Sequence, residues 1–227
     1  MGNQELSFVE LNQSKVTDDV IQQFDCGNED MTEYLHKYAK NDSIEGKGVT
    51  YVLVAEDRKH IYAYATIKAY SLYYYDEAEK YHTKVMNDDG KILLSIPAVE
   101  IKMFAISRKL KGQVAYLLDP VKKQHYSSIF FKWFLEYLYY MSMNTIGFQM
   151  VFLRANNEGE RLYRNNSFIE CDEYLSTYDA KADGCTSLAI TLSEIEEVIF
   201  NRHIRENKIL GMPIFLRFIC LLPSGTL

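Results

Sequence analysis

The spacing of apolar side chains along the first third of the chain predicts a strand, two helices and a hairpin. Residues 6–11 alternate apolar and polar positions, which is typical of a half-buried strand. Residues 16–24 and 28–39 instead carry apolar positions at helical spacing. Residues 51–55 and 61–69 are two apolar stretches joined by charged turn residues, so we expect an antiparallel hairpin.

The rest of the chain continues this alternation of strands and helices. The predicted elements are a central strand at 96–106, an aromatic-rich helix at 129–143, a strand at 148–153, a short helix at 157–166, and a closing pair of strands at 173–178 and 187–192. Their order favours an α/β (α+β) fold with a mixed sheet and helices on both faces.

Two segments lie outside this regular pattern. Residues 70–95 combine many tyrosines and charges with a turn sequence, which indicates an insertion or an edge ribbon. Residues 193–211 predict a further helix, and residues 212–222 an extra apolar strand. We therefore predict a domain at residues 1–192, with its insertion near 70–95, and a C-terminal extension at 193–227.

Within the predicted strand, the apolar run at residues 214–222, which only Arg217 interrupts, would be an aggregation hazard if unpaired. Pairing within the chain, or with a second copy across a two-fold axis, would remove that hazard. Because the run lies beyond the domain, we favour the second arrangement and expect a homodimer.

Composition limits the range of possible partners. A chain of 227 residues with 48% hydrophobic and 25% charged residues is long enough to bury a sizeable core. Its net charge of −6 opposes a surface that attracts nucleic acid as a whole, although a local basic cleft is compatible with it. This balance favours a small or peptidic partner.

Several classes of protein find no support in the sequence. The four cysteines lack CxxC spacing and the five histidines lie far apart, so we expect no disulfide framework and no metal site. The N-terminus lacks the features of a secretion signal, and the longest apolar run is about half the length of a membrane-spanning helix. We expect a reduced, cytoplasmic protein without a membrane partner.

Two motifs carry a resemblance to a known family. The strand that contains Glu100 runs into a basic turn that ends at Gly112, and Tyr163 stands five residues before Phe168 in a predicted short helix. In this order the motifs resemble the GNAT family of N-acetyltransferases, which has a central strand, a phosphate loop and a late tyrosine helix. The resemblance covers residues 6–192 and implies a mostly antiparallel sheet that splays at its central strand.

The resemblance implies transfer of an acetyl group from acetyl-CoA to a primary amine on a small molecule or a protein. It makes Tyr163 the candidate acid, because a phenol with an ordinary pKa near 10 can donate a proton to a thiolate. The alternative is that the Tyr163 ring only packs beneath the sheet. Glu100 stands where some relatives have a general base, and its alternative is an ion pair with a lysine such as Lys102.

The implied binding site for acetyl-CoA uses backbone groups and a basic turn. The amides of Phe104, Ala105 and Ile106 would bind the pantetheine arm and the thioester oxygen, and Asn156 or Asn157 would lie near that arm. Either asparagine could instead cap the helix that follows.

The phosphate loop departs from the family pattern. The pattern has Gln or Arg, then Gly, then Gly or Ala, and leads into a helix, whereas only Gly112 is kept here and Val114 and Tyr116 replace the later glycines. Residues 114–124 then precede the aromatic helix, so the loop is either lost or lengthened. Candidate phosphate ligands are a helix cap at Ser127 or Ser128 and the basic side chains Arg108, Lys109, Lys111, Lys122 and Lys123.

The segments 24–27 and 46–53 look like those of GNAT enzymes that act as toxins, some of which acetylate the amine of aminoacyl-tRNA. The acidic composition and the altered phosphate loop count against transferring that substrate to this chain. Three hypotheses therefore stay open: an enzyme for a small or protein amine, a toxin that modifies charged tRNA, and a catalytically weak module that binds CoA or a partner.

Overall fold

In the computed structural model, residues 4–81, 86–116, 118, 123–175, 184–199 and 218–220 are described. Within them the chain forms one eight-stranded sheet flanked by helices. The strands are β1 (Gln4–Glu10), β2 (Val49–Ala55), β3 (Ile61–Glu77), β4 (Lys91–Ile106), β5 (Met150–Asn156), β6 (Ile169–Glu170), β7 (Cys185–Thr191) and β8 (Phe218–Cys220). The helices are α1 (Asp18–Gln22), α2 (Glu29–Glu33), α3 (Ala39–Ile44), α4 (Tyr126–Asn144), α5 (Glu160–Arg164) and α6 (192–199).

The strand order is β6-β7-β5-β4-β3-β2-β1-β8. Among the described strand pairs, only β4 and β5 run parallel, and the others are antiparallel. Parallel neighbours need a long crossover, and α4 lies within the connection between these two strands. The predicted mixed, mostly antiparallel sheet is confirmed.

The parallel strands β4 and β5 pair over only part of their length. Ala98–Ile101 of β4 lies beside Met150–Leu153 of β5. Beyond that contact β4 continues to Ile106 and β5 continues to Asn156 with no further described pair between them. The sheet therefore opens at a gap between its two central strands.

A β-bulge lies in β4 at the start of this gap. Thr66 of β3 pairs with Met103, but the next residue, Ile67, pairs with Ile101, so Lys102 is an extra residue on β4. An extra residue bends its strand and increases the local twist. The bend therefore coincides with the point where β4 leaves β5.

Helices cover both faces of the sheet. On one face, α4 buries Phe130, Phe131 and Phe134 against the strands. On the other, α1 buries Ile21 and α3 buries Ala39, and the π-helical turn (34–38) that joins α2 to α3 buries Leu35. Burial on both faces explains why the start of β3 shows no polar alternation. No helix in the described ranges is long and apolar enough to cross a membrane.

The segment predicted as an insertion or edge ribbon is an extension of two sheet strands. β3 is 17 residues long and β4 is 16, and they pair from Ala63 and Ile106 out to Glu77 and Lys91. On β4, Ile92, Leu94 and Ile96 are half-buried and the residues between them are exposed, so the ribbon keeps the alternation of a strand. Residues 82–85 of the predicted insertion lie outside the described residues.

The predicted closing pair of strands is partly wrong. β7 is present, but its outer partner is β6 at Ile169–Glu170, and Asp172–Tyr174 forms a 3-10 turn where a strand was expected. Residues 176–178 lie outside the described part of the chain. Beyond β7, residues 200–211 of the predicted helix and most of the predicted strand at 212–222 also lie outside it.

The described part of the C-terminal extension belongs to the same body as the domain. Ile195 and Ile199 of α6 are buried in the main core beside α4. β8 pairs with β1 in antiparallel register, with Leu6 opposite Phe218. Residues 218–220 of the apolar tail thus pair within the chain, while the expected homodimer stays a prediction.

We expect Ile195→Ala to destabilise the fold by about 2–5 kcal/mol, because it removes a fully buried side chain and leaves a cavity. Thermal unfolding monitored by circular dichroism would measure the loss. Glu197→Ala, at an exposed position of the same helix, should change stability little. Equal melting temperatures for the two variants would mean that α6 is not part of the core.

Candidate active site

Backbone groups of β4 face the gap between β4 and β5. The Ser107 N–H donates to the Tyr62 carbonyl of β3 at 2.8 Å. Because successive residues of an antiparallel strand direct their polar groups to opposite sides, Ala105 also faces β3, while Phe104 and Ile106 face the gap. The expectation that all three amides line the gap is thus wrong for Ala105, and Phe104 and Ile106 remain candidates.

The turn that follows β4 is held against the start of α4. Val114 and His125 form an antiparallel bridge, flanked by hydrogen bonds from the Ala115 N–H to the Gln124 carbonyl and from the Tyr126 N–H to the Gln113 carbonyl. The bridge and its two flanking hydrogen bonds therefore hold together the two ends of the segment between residues 115 and 124. This closed turn favours a lengthened loop over a lost one, and its role in binding phosphate stays a prediction.

Gly112 lies at the apex of this turn in the left-handed region, with φ of 75°, and no atom would contact a Cβ placed on it. His125 is the N-cap residue of α4, and its Nδ1 lies 3.1 Å from the Gly112 carbonyl. The prediction that Ser127 or Ser128 is the cap is therefore wrong, since both lie within the first helical turn. Among the described residues, no group accepts the Ser127 N–H, which leaves it available to an anion.

The basic side chains of the turn are exposed and weakly paired. Arg108 lies 3.4 Å from Asp25, and Lys111 lies 3.2 Å from Glu158. A hydrogen bond from the Gly27 N–H, together with Arg108, lowers the pKa of Asp25. Lys109 and Lys123 are also exposed, whereas Lys122 lies outside the described residues. Exposed pairs of this kind contribute little stability, so an anion could displace the carboxylates.

The turn that leads into α5 is built around Asn156. Its Oδ1 accepts the Gly159 N–H at 2.8 Å, which closes the turn before the helix. The N-cap residue of α5 is Gly159, so the predicted cap at Asn156 or Asn157 is wrong, and the amide nitrogen of Asn156 is not used by the bond to Gly159. A Cβ on Gly159 would lie 3.0 Å from the Tyr163 ring, so a larger residue there would push the ring by a few tenths of an ångström.

The five-residue spacing from Tyr163 to Phe168 has a structural cause. Ser167 adopts a left-handed conformation, with φ of 68°. The Phe168 N–H donates to the Tyr163 carbonyl and the Ser167 N–H to the Arg164 carbonyl, which is the Schellman arrangement at a helix end. The two rings lie 6.1 Å apart. The spacing therefore reflects a helix end that turns the chain so that Phe168 packs near Tyr163.

Tyr163 lies on the face of the sheet that carries α4. Its ring packs against Phe131 at 5.1 Å, and Phe131 packs against Phe104 of β4 at 5.0 Å. Burial raises the pKa of Tyr163 to about 12, so its hydroxyl is protonated at neutral pH. No described group hydrogen-bonds that hydroxyl. The ring does pack as the alternative predicts, and the role of the hydroxyl as an acid stays a prediction.

Glu100 is buried on the opposite face, where it contacts two cations. Arg154 of β5 donates to its Oε1 at 2.7 Å, and Lys68 of β3 lies 2.9 Å from its Oε2. Lys102, the partner suggested by the sequence, instead binds Asp42 at 2.9 Å. The role of Glu100 as a general base stays a prediction.

Sequence reasoning missed two residues of this region, Gly159 and Arg154. Gly159 follows Asn156 by three positions, and that spacing is a signal for a capped turn. Arg154 directly follows the apolar run of β5, and such a charge at a strand end gives no sign of its partner. Among the described residues, no three His, Cys, Asp or Glu side chains come together as metal ligands.

A bulged central strand that separates from its parallel neighbour, with a tyrosine helix after that neighbour, defines a GNAT-like fold. The sequence matches no protein-family model and no curated protein. Solved structures do resemble it, and they are toxin acetyltransferases of the GNAT type. The predicted resemblance is confirmed at the level of the fold.

Three of these structures involve the AtaT toxin. AtaTR bound with acetyl-CoA has a TM-score of 0.62 and 18% sequence identity, covering 86% of this chain and 98% of that chain. A tyrosine-to-phenylalanine mutant of AtaT has a TM-score of 0.59 and 18% sequence identity, covering 86% of this chain and 93% of that chain. AtaT complexed with acetyl-methionyl-tRNAfMet has a TM-score of 0.54 and 18% sequence identity, covering 86% of this chain and 99% of that chain.

We expect Ser167→Gly to stabilise the protein by about 0.5–1 kcal/mol, because glycine adopts the left-handed conformation without steric cost. The melting temperature should rise by about 1–4 °C in calorimetry. Asn165→Gly is the matched control, since Asn165 has an ordinary helical φ of −68° and glycine there should destabilise. A lower melting temperature for Ser167→Gly would show that the serine makes a compensating contact.

Proposed function

We propose that the protein is an acyl-CoA-dependent N-acetyltransferase that moves an acetyl group from acetyl-CoA to a primary amine. One observation carries this proposal: outward-facing backbone groups of Phe104 and Ile106 line the gap between β4 and β5, and the Phe131 ring packs against both Phe104 and Tyr163. Backbone groups exposed at the edge of a strand need a partner. The extended pantetheine arm of acetyl-CoA is a partner of suitable chemistry.

The residues around the gap fit the remaining parts of acetyl-CoA. The amide nitrogen of Asn156 can donate to a carbonyl of the pantetheine arm. Gly112 offers open space for close approach, and the first turn of α4 offers an uncommitted N–H group for the pyrophosphate. Arg108 and Lys111 add positive charge there. The structure of AtaTR, which has a similar fold, was solved with acetyl-CoA bound, and this supports the same ligand here.

The reaction would proceed by direct transfer. The neutral amine attacks the thioester carbon, a C–N bond forms and the C–S bond breaks. The Phe104 and Ile106 amides are candidates to stabilise the charge on the carbonyl oxygen, since backbone donors act strongly in a site without water. Tyr163 would donate its proton to the departing sulfur, and the acylated nitrogen would return a proton through water.

Calorimetry with acetyl-CoA tests the proposal. We expect measurable binding, and at a ligand concentration of 100 Kd a gain of about 2.7 kcal/mol in stability, which corresponds to roughly 5–10 °C in melting temperature. If millimolar acetyl-CoA produces no heat of binding and no shift in melting temperature, the proposed acetyltransferase activity is excluded. Binding without turnover of any amine would support the alternative of a CoA-binding or interaction module.

Tyr163→Phe should lower kcat by about 10²-fold or more and leave the affinity for acetyl-CoA nearly unchanged, because it removes one hydroxyl and keeps the packed ring. Steady-state kinetics and calorimetry would separate the two effects. Tyr73→Phe, on the distant ribbon, is the matched control and should leave both unchanged. An unaltered kcat for Tyr163→Phe would assign the tyrosine to packing alone.

A second candidate acceptor is the amine of aminoacyl-tRNA, and the surface charge near Glu100 favours it. On this face the side chains of Lys68, Lys102 and Arg154 are 38%, 33% and 21% exposed, whereas those of Glu100 and Asp42 are 6% and 15% exposed. The solvent thus meets mainly the cations, which suits an acceptor with negative charge near its amine. AtaT has been captured with acetyl-methionyl-tRNAfMet.

Binding of charged tRNA should weaken steeply as salt increases if this candidate is correct, because phosphate contacts release counterions. Acetylation of the charged tRNA, compared with acetylation of a polyamine and of a peptide lysine, would identify the acceptor class. Preferred turnover of the polyamine or the peptide would leave the acetyltransferase intact and remove the toxin candidate.

A further inference from the structure

An ion network around the buried Glu100 joins three strands where the central gap begins. Arg154 is the first residue of β5 beyond its last pair with β4, which is Ile101 with Leu153. Its guanidinium nevertheless reaches back across the sheet to β4, where Nη1 donates to Oε1 of Glu100 at 2.7 Å. The side chain therefore links the two strands immediately past their last backbone contact.

The guanidinium of Arg154 is fixed on several sides. Its Nη2 donates to the Tyr70 hydroxyl of β3 at 3.2 Å. The rings of Tyr70 and Phe152 stack 4.6 Å apart, and the guanidinium lies 5.0 Å from the Phe152 centroid and 5.7 Å from that of Tyr70. A planar group with several donors suits this combination of stacking and hydrogen bonding, and a lysine cannot reproduce it.

Arg154 is also the stronger of the two ties to Glu100. Lys68 lies 2.9 Å from Oε2 of Glu100, but that contact lacks hydrogen-bond geometry. Glu100 is 4% exposed, so its charge cannot be screened by water once Arg154 is removed. The Arg154–Glu100 bond is thus a direct side-chain link between β5 and β4 immediately past their last backbone pair.

We propose that Arg154 is a positioning residue that sets where β4 and β5 separate and, through this, the width of the pantetheine slot between Phe104 and Asn156. The inference rests on the proposed acetyl-CoA site and adds a residue that acts on it from the opposite face of the sheet. Arg154 itself contacts neither the ring of Tyr163 nor the basic turn after β4 in the described contacts.

The test compares CoA with adenosine 3′,5′-bisphosphate, a fragment that carries the nucleotide phosphates but no pantetheine arm. In Arg154→Met, which keeps an unbranched side chain beside Phe152, we expect the affinity for CoA to fall about tenfold while the affinity for the fragment is unchanged, because small misplacement of a slot has large effects. Calorimetry measures both. Arg161→Met, at an exposed arginine that forms no ion pair with a described residue, should change neither.

The outcomes separate this inference from the proposed function. If the unaltered protein binds no CoA, the proposed function fails. If it binds CoA and Arg154→Met binds both ligands as tightly as the unaltered protein, or loses both equally, the positioning role is overturned. Should Arg154→Met not fold, Arg154→Lys carries the test, with an expected loss of about threefold for CoA alone, and an unchanged ratio of the two affinities overturns the proposal.

Discussion

The structure depends on the incomplete pairing of one strand. β4 pairs with β3 along nearly its whole length but with β5 only from Ala98 to Ile101. The backbone of Phe104 and Ile106 is consequently held rigid on one side and left without a strand on the other. An edge in the middle of a sheet would normally be filled, because unpaired backbone groups are costly when they are buried. The unpaired backbone groups of Phe104 and Ile106 are therefore consistent with the proposal that a ligand fills the gap.

Local backbone rules bring the candidate chemistry to that gap. Asn156 closes the turn before α5, Gly159 leaves room for the Tyr163 ring, and the left-handed Ser167 ends the helix. None of these three residues needs to contact a substrate for the site to depend on it. The motif that resembles a catalytic signature therefore consists mainly of residues that hold the Tyr163 ring against Phe131.

The sequence predicts what local periodicity determines. The order of elements, the mixed sheet and the segment around Tyr163 follow from apolar spacing and from the short motif that ends at Phe168. The partner of Glu100 does not, because Arg154 is 54 positions away and meets it through strand pairing. The start of α4 was misjudged for the same reason: Ser127 is a good local cap, but the bridge between Val114 and His125 begins the helix earlier.

Cross-strand pairing also explains how an acidic chain can expose three cations above two less exposed carboxylates. The net charge of −6 argues against nucleic acid only if charges are spread evenly. On the face opposite Tyr163 the strands place Glu100 below Lys68 and Arg154, and Asp42 of α3 is similarly less exposed than Lys102. The carboxylates fix the cations in place and are hidden by them. On this part of the surface the exposed charge therefore depends on the depth of each group rather than on the composition of the whole chain, so the net charge is compatible with the polyanionic acceptor proposed above.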